Sequence, residues 1–279
     1  MPIRLRRLTN RTIFYLVVAF AVAIVVFPSY WLLMTSLQDE KYQLVYPPYL
    51  TPQLFNWSSY LSLFDSTPML LWLRNSITVS LGVTVLALTL SVLGAYSLSG
   101  FRFHGRGLFI FFLLATQMMP QALLVVPIFI LFRQLGLIDT LQGLVVVDTA
   151  FVAPITVWIM KGFFDSIPRE IMEASLIDGC TRISTLFRIL LPLSLPAVVA
   201  VCVVAFFEGW NEYLFAVTFV STSSNWVATM GLASFIGELA TPLERMMAGA
   251  AVFSIAPVAF YLIMQRYIIS GLTGGAVKG

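Results

Sequence analysis

The stretch EASLIDGCTRISTLFRILLPLSLP, residues 173–196, is the most polar and most patterned part of an otherwise oily chain, and its reading decides the fold. Seven charged residues lie between Asp165 and Arg188. Each would cost roughly 2.5–3.5 kcal/mol at the centre of a bilayer, so this segment is not itself a span. Nor does it read as a loose loop. Ser166 is expected to cap a short helix whose first turn holds Pro168 and which runs through Glu173 to about Ile177. Gly179 then supplies a break, because a left-handed or tight-turn conformation is cheap there. A second helix is expected from near Thr181. Its residues Ile183, Leu186, Phe187, Leu190 and Leu191 fall at i, i+3, i+4, i+7 and i+8, one apolar stripe that can pack onto the chain's own spans. The first half sets the small Ala174 and Ser175 beside Glu173 and Asp178, a surface suited to close approach by another protein. The competing picture, a helix pair resting on lipid headgroups, gains nothing from acids beside an anionic leaflet.

Around this island the composition is that of a membrane protein. The 279 residues are 59% hydrophobic and only 10% charged, with a mean hydropathy of +0.92. Soluble domains run at about 45–50% apolar and about 25% charged, so this chain lacks the polar surface to cover a core in water. A net charge of +3 is too small to argue for nucleic acid. Cys180 and Cys202 give no disulfide framework. A span needs roughly 20 apolar residues in a helix. Six such helices are expected, at about 13–37, 75–100, 108–132, 142–160, 195–220 and 247–264, within a single domain over 1–279. The polar segment 165–192 lies between the fourth and fifth. The basic start MPIRLRRLTNR precedes an apolar run too long for a signal peptide, which points to a retained first helix. Pro28, Pro120, Pro127, Pro154 and Pro257 fall in the spans and favour kinks, either for movement or as ordinary packing features.

Lys and Arg set the orientation. Twelve fall in the loops shared by both termini and the polar island, four in the opposite loops at Lys41, Arg74, Arg133 and Arg245. The positive-inside rule therefore places both termini and the island in the cytoplasm, and 38–74, 133–141 and 221–245 outside. The first outer loop, with YQLVYPPYLTPQLFNW at 42–57, is expected to fold over the outer surface.

Residues 173–196 resemble the EAA loop of the membrane subunits of bacterial ABC importers. Glu173, Ala174, Asp178, Gly179, Leu191 and Pro192 stand where that pattern asks, while Ser175 and Cys180 replace alanines with other small residues. The order of spans and the ending GLTGGAVKG (271–279) resemble the carbohydrate-importer branch, particularly the smaller membrane subunit of maltose-type and trehalose-type importers. The resemblance implies an all-α type I ABC importer fold with six transmembrane helices in a bacterial inner membrane. It implies a second permease subunit, an extracytoplasmic sugar-binding protein and a cytoplasmic ATPase dimer that holds ATP and Mg. It also implies that Glu173, Ala174, Ser175, Asp178, Gly179 and Cys180 form the coupling helix and bend seated in the ATPase, with 271–279 reaching toward that dimer. The chain itself has no P-loop: Lys41, Lys161 and Lys278 are followed by Tyr, Gly and Gly. It is expected to be a transporter part, not an enzyme, and to bind no cofactor.

Acids within spans are costly and so are functional candidates. Glu208 and Glu212 lie in FFEGWNEYLF (206–215), and Asp148 lies early in the fourth span. WNEYLFA (210–216) resembles a fifth-span motif of sugar-importer subunits. Trp210, Asn211, Glu212 and Tyr213 have the chemistry for a sugar pathway, or else they satisfy one another or bond the other membrane subunit. STSSNWVATMGLASFIGELATPLER (221–245) resembles the loop that contacts the binding protein in maltose-type importers, and is alternatively a cap on the bundle. His104 has no second His or Cys nearby, so no metal site is expected. A different class remains open: a secondary transporter with Asp148, Glu208 and Glu212 as a proton relay, which leaves the island at 165–192 unexplained. A membrane scaffold without transport leaves the acids unexplained.

Overall fold

The computed structural model describes the backbone of residues 3–42, 45–237 and 243–276, with side chains for 11–39, 41–42, 45–237 and 243–267. Among these residues every regular element is helical. Lipid offers backbone N–H and C=O groups no water, so a span must satisfy them internally. The elements are α1 (Ile3–Ser36), α2 (Ser58–Ser66), α3 (Met69–Gly100), α4 (Arg106–Ala115), α5 (Gln121–Gln134), α6 (Leu141–Ser166), α7 (Arg169–Ile177), α8 (Arg182–Thr185), α9 (Leu191–Leu193), α10 (Leu195–Trp210), α11 (Leu214–Phe219), α12 (Ala228–Ala233) and α13 (Leu243–Ala276).

Among the described residues five segments are long and apolar enough to cross a membrane: Arg11–Ser36, Met69–Gly100, Leu141–Ser166, Leu195–Phe219 and Leu243–Tyr267. The sixth is not the single helix expected over 108–132. It is a pair, Arg106–Met118 and Gln121–Gln134, bent by 103°. Pro120 explains the break. It lacks an N–H and holds Met119 in an extended conformation (φ −83, ψ 123), where a helix cannot continue. Gln117 Nε2 donates to the Phe151 carbonyl at 2.8 Å, tying the break to α6. Pro28, Pro127, Pro154 and Pro257 are instead accommodated inside α1, α5, α6 and α13. Helix α13 continues through Ala276, so most of the expected 271–279 tail has helical backbone, and residues 277–279 lie outside the described residues.

The chain divides into two compact units. The first comprises 1–69 and 234–254. In it the proline- and aromatic-rich loop folds back on the end of α1. Asn56 N donates to Leu37 O at 2.8 Å, Tyr30 Oη to Leu50 O at 2.6 Å, and Ser36 Oγ and Tyr60 Oη share a 2.7 Å bond.

The second unit comprises 70–233 and 255–279. Between lipid-embedded helices there is little hydrophobic drive, so close approach by small residues matters. Ala87, Ala95, Ala197 and Ala205 are fully enclosed. A Cβ on Gly209 of α10 would lie 2.9 Å from Ser80 Cα of α3, so glycine is needed at that crossing. Two apolar clusters result. One joins Val79 and Val83 to Leu144, Val147, Phe215 and Phe219; the other joins Val92 and Ala95 to Met160, Phe164, Leu186 and Leu190.

A polar rivet holds two loops of this unit. Asp139, in the α5–α6 loop with φ +60, accepts from Ser221 N and Thr222 N at 3.0 Å each and from the Thr222 hydroxyl. Its own N–H donates to Phe219 O at 2.9 Å, and its carbonyl accepts from Asn225 Nδ2 at 2.7 Å. The Thr222 hydroxyl, helped by the Thr222 and Ser221 amides and Asn225, holds the Asp139 carboxyl below the ordinary aspartate range. A folded-state pKa lowered in this way adds stability above the unfolded value of about 3.9, lost as pH falls through the lower folded value. Hydrogen exchange at the Ser221 and Thr222 amides, measured against the intrinsic rate at each pH, is therefore expected to stay slow at neutral pH and to gain on that rate only below about pH 4. Asp139→Ala should accelerate it at every pH, and should add about 1–2 kcal/mol of left-handed backbone strain. Asp139→Asn, which tolerates that conformation and keeps an acceptor, should do neither to the same degree.

Candidate functional site

The polar island is built as a hinge between two helices. Ser166 does not cap the first of them, contrary to expectation. It closes α6, its hydroxyl donating to Phe163 O at 2.6 Å, and the residue ahead of α7 is Pro168. The reason is local: a proline just before the helix presets its entry, and Ser166 is left one residue inside α6. Helix α7 then ends as a helix closed by a left-handed glycine. Gly179 has φ +84, Cys180 N donates to Ser175 O at 3.0 Å, and Gly179 N donates to Leu176 O at 3.2 Å. These are the 6→1 and 5→2 bonds that satisfy the last carbonyls of a helix and reverse the chain. Thr181 caps α8, its hydroxyl accepting from Ser184 N at 3.2 Å.

Ser175 sits where the hinge closes. It is 3% exposed and Thr185 is 1% exposed, and their hydroxyls are 2.8 Å apart. Ser175 donates to Met172 O at 2.7 Å, which leaves Thr185 as the donor between the two. The small residue thus lets α7 and α8 approach each other; it does not face outward as the sequence suggested. Glu173, Ala174, Asp178 and Gly179 are exposed and Cys180 is half-buried. Ile177 beside them is 85% exposed. Among the described residues neither Glu173 nor Asp178 is in an ion pair.

Only half of the expected stripe packs inward. Leu186 and Leu190 are buried with Val92, Met160, Phe164 and Val201, whereas Ile183 and Phe187 are exposed. Between α8 and α9 the helix widens into a π turn over Leu186–Leu190, with Leu191 N bonded to Leu186 O. Pro192 supplies the cause, since it has no N–H for the Arg188 carbonyl and its ring crowds that turn. At the base of the island, Asp165 pairs with Lys161 one turn earlier and lies 3.9 Å from Arg106 Nη2.

The second candidate cluster is only partly assembled. Trp210 is 1% exposed, stacked on Phe206 (5.8 Å, 10°), which stacks on Phe260 (3.9 Å). It packs within an aromatic stack. Asn211 and Tyr213 are exposed. Glu212 starts α11: its Oε1 accepts from Phe215 N at 2.6 Å and Ala216 N at 2.9 Å, and its carbonyl accepts from the Thr229 hydroxyl. Asp148, buried on α6, faces Glu212 and Glu208, and Gln121 Nε2 reaches Glu208 Oε1 at 3.4 Å. The structure thus gathers the three acids and adds Gln121, which the sequence reading missed because its signal is the break before α5. Glu212→Ala should cost about 1–3 kcal/mol in thermal unfolding, since it leaves the buried Phe215 and Ala216 amides without their acceptor. Glu212→Gln keeps the acceptor and should lose under about 1 kcal/mol.

The segment 221–233 is tied to α3. Asn75 Nδ2 donates to Ser224 O at 2.8 Å and Trp226 O at 2.9 Å, Ser76 Oγ accepts from Ala228 N at 2.8 Å, and Trp72 stacks on Trp226. Residues 238–242 of the loop expected to meet a binding protein lie outside the described residues.

Comparison with known proteins gives one answer. Residues 87–274 match the family described as "Binding-protein-dependent transport system inner membrane component". The chain is 37% identical to the inner membrane ABC transporter permease protein YcjP of Escherichia coli over 98% of this chain and 99% of that one. It is 34% identical to the trehalose/maltose transport system permease protein MalG of Thermococcus litoralis, covering 92% of each, and 35% identical to the sulfoquinovosyl glycerol permease SmoH of Agrobacterium fabrum, covering 91% and 89%. In fold it is similar to a chain of a bacterial ABC transporter that imports alginate, with TM-score 0.79 over 96% of this chain and 99% of that one, at 23% identity. A chain whose described residues form only helical elements, with five helices long and apolar enough to cross a membrane, a bent pair broken at Pro120 and a helix–glycine–helix island ahead of α10, therefore belongs to the binding-protein-dependent transport system inner membrane components, the permeases of ABC importers.

Proposed function

We propose that this chain is one of two permease subunits of an ATP-driven sugar importer, and that α7, Gly179 and α8 seat in a separate ATPase dimer and carry its closure to the spans. The observation that carries this reading is the α7–α8 hinge. It is closed from within by Ser175 and Thr185 and presents Glu173, Ala174, Ile177 and Asp178 to the outside with no ion-pair partner of their own among the described residues. ATP and Mg belong to the ATPase. Both termini and the hinge are cytoplasmic, on the distribution of Lys and Arg. An extracytoplasmic binding protein delivers the sugar, for which the substrate class is an α-linked disaccharide or maltodextrin, the reading favoured by the likeness to the trehalose/maltose permease. The whole of 1–279 serves as one permease domain.

Reconstitution tests this directly. Uptake of labelled maltose or trehalose should require ATP on the side of the bilayer that carries the ATPase and the binding protein on the opposite side. Uptake that follows a proton gradient without either would transfer the role to Asp148, Glu208 and Glu212 as a relay. Because Glu212→Gln should preserve the α11 cap, it separates a pathway role from a structural one: uptake falls while ATPase assembly persists if Glu212, with Asn211 and Tyr213, lines the route.

A further inference from the structure

Two adjoining clefts, of about 280 and 170 Å³, open where the end of α3, the start of α4, the last turn of α6 and α7 come together. Both are lined by Tyr96, Ser99, Gly100, Arg169 and Met172; Arg106 and Asp165 complete the larger, Arg182 and Glu173 the smaller. The larger approaches the lower size of ligand sites, about 300 Å³.

The charges there do not balance locally. Asp165 is already engaged by Lys161, and Arg106 reaches it only at 3.9 Å. Among the described residues Arg169 is in no ion pair. The Arg182 guanidinium lies over the Phe101 ring at 4.8 Å, held there while its backbone carbonyl accepts from Tyr96 Oη at 3.1 Å. Arg106 and Arg169 thus border the larger cleft, and Arg169 and Arg182 the smaller, where the Glu173 carboxylate is in no ion pair among the described residues. Arg106 and Arg169 are also the first residues of α4 and α7, and neither helix has a side-chain cap. A cation at that end opposes the helix dipole, and an anion between the two would relieve both.

We propose that this cleft binds a phosphate group, presented by the headgroup of an anionic phospholipid. Guanidinium forks match phosphate oxygens in geometry and charge. The cleft lies at the ends of α3 and α6, helices long and apolar enough to cross a membrane, and the ends of spans fall near headgroup phosphates. Phe101, Met172 and Leu176 give its wall an apolar side for the adjoining glycerol and chain. A phosphate held there bridges α4 to α7, so the charge of the bilayer bears on how the hinge is seated. The site does not depend on the coupling role assigned to α7.

The test uses the full-length chain in detergent, offered phosphatidylglycerol or phosphatidylcholine, with retained lipid counted by native mass spectrometry and inorganic phosphate as competitor. Phosphatidylglycerol should be retained in preference. Each arginine removed should weaken retention about fivefold, and the pair Arg106→Gln/Arg169→Gln about 25-fold. Arg106→Gln also disturbs the pairing with Asp165, so Arg169→Gln/Arg182→Gln, which breaks no ion pair, should give a similar loss in a protein of unchanged helicity. Arg188→Gln, away from the cleft, should change nothing. Displacement by inorganic phosphate without preference for either lipid, lost in the same variants, assigns the site to free phosphate. Equal retention of both lipids by wild type and variants, with no competition by phosphate, overturns it.

Discussion

Gly179→Pro is expected to leave the protein in the membrane and to abolish ATP-driven uptake. Gly179 holds φ +84 and its N–H donates to Leu176 O. Proline is confined near φ −65 and has no N–H, so the bend cannot form, at a cost of about 3 kcal/mol or more. If the seated hinge is the conformation that couples, a penalty of that size lowers its population by about 150-fold. Gly179→Ala is the informative companion. A Cβ there meets nothing within 4 Å, so only backbone strain of about 1–2 kcal/mol is added. Uptake should fall roughly tenfold, with the assembled complex intact. Uptake at wild-type rate in Gly179→Pro would remove the hinge from the coupling path. Uptake and membrane insertion lost together would point instead to misfolding, which the behaviour of Gly179→Ala resolves.

Glu173→Lys should separate the permease from its ATPase without unfolding it. Glu173 is exposed and in no ion pair among the described residues, so its loss leaves no buried partner within the chain. The new Lys would stand one helical turn from Arg169, a like-charge cost of only about 0.3–0.5 kcal/mol. Against a basic socket on the ATPase the effect is far larger. Truncating one member of a buried interfacial charge pair costs about 2–5 kcal/mol, and reversal costs at least as much. Affinity for the ATPase should drop by about 30-fold or more, read by co-purification and by the loss of ATP-dependent uptake. A basic-to-acidic change on the ATPase that restores the complex would identify the socket. Full uptake by Glu173→Lys would rule out this residue as the contact.

The membrane character, the helical class and the break at Gly179 were legible because each follows from local chemistry. Long apolar runs without alternation leave only helices in lipid. Glycine flanked by a polar turn marks a helix end whatever surrounds it. Ser166 was misread because capping depends on which of two adjacent helices claims the residue, and periodicity does not fix helix ends to one residue. The half-exposed stripe of α8 was misread for a related reason: a π turn ahead of Pro192 changes the phase of every side chain before it.

What the sequence alone determined, then, is that this chain crosses a membrane as helices and carries a charged, bent element between two spans. Composition and short-range spacing suffice for that, because the cost of charge in lipid and the freedom of glycine are properties of single residues. Only the tertiary structure decided that Ser175 faces Thr185 inside the hinge, that Trp210 is buried in an aromatic stack, and that Asp148, Glu208 and Glu212 meet. Those outcomes join residues on different helices. The rotation and approach of packed helices, set by small residues such as Gly209 against Ser80, determine which side chains face one another.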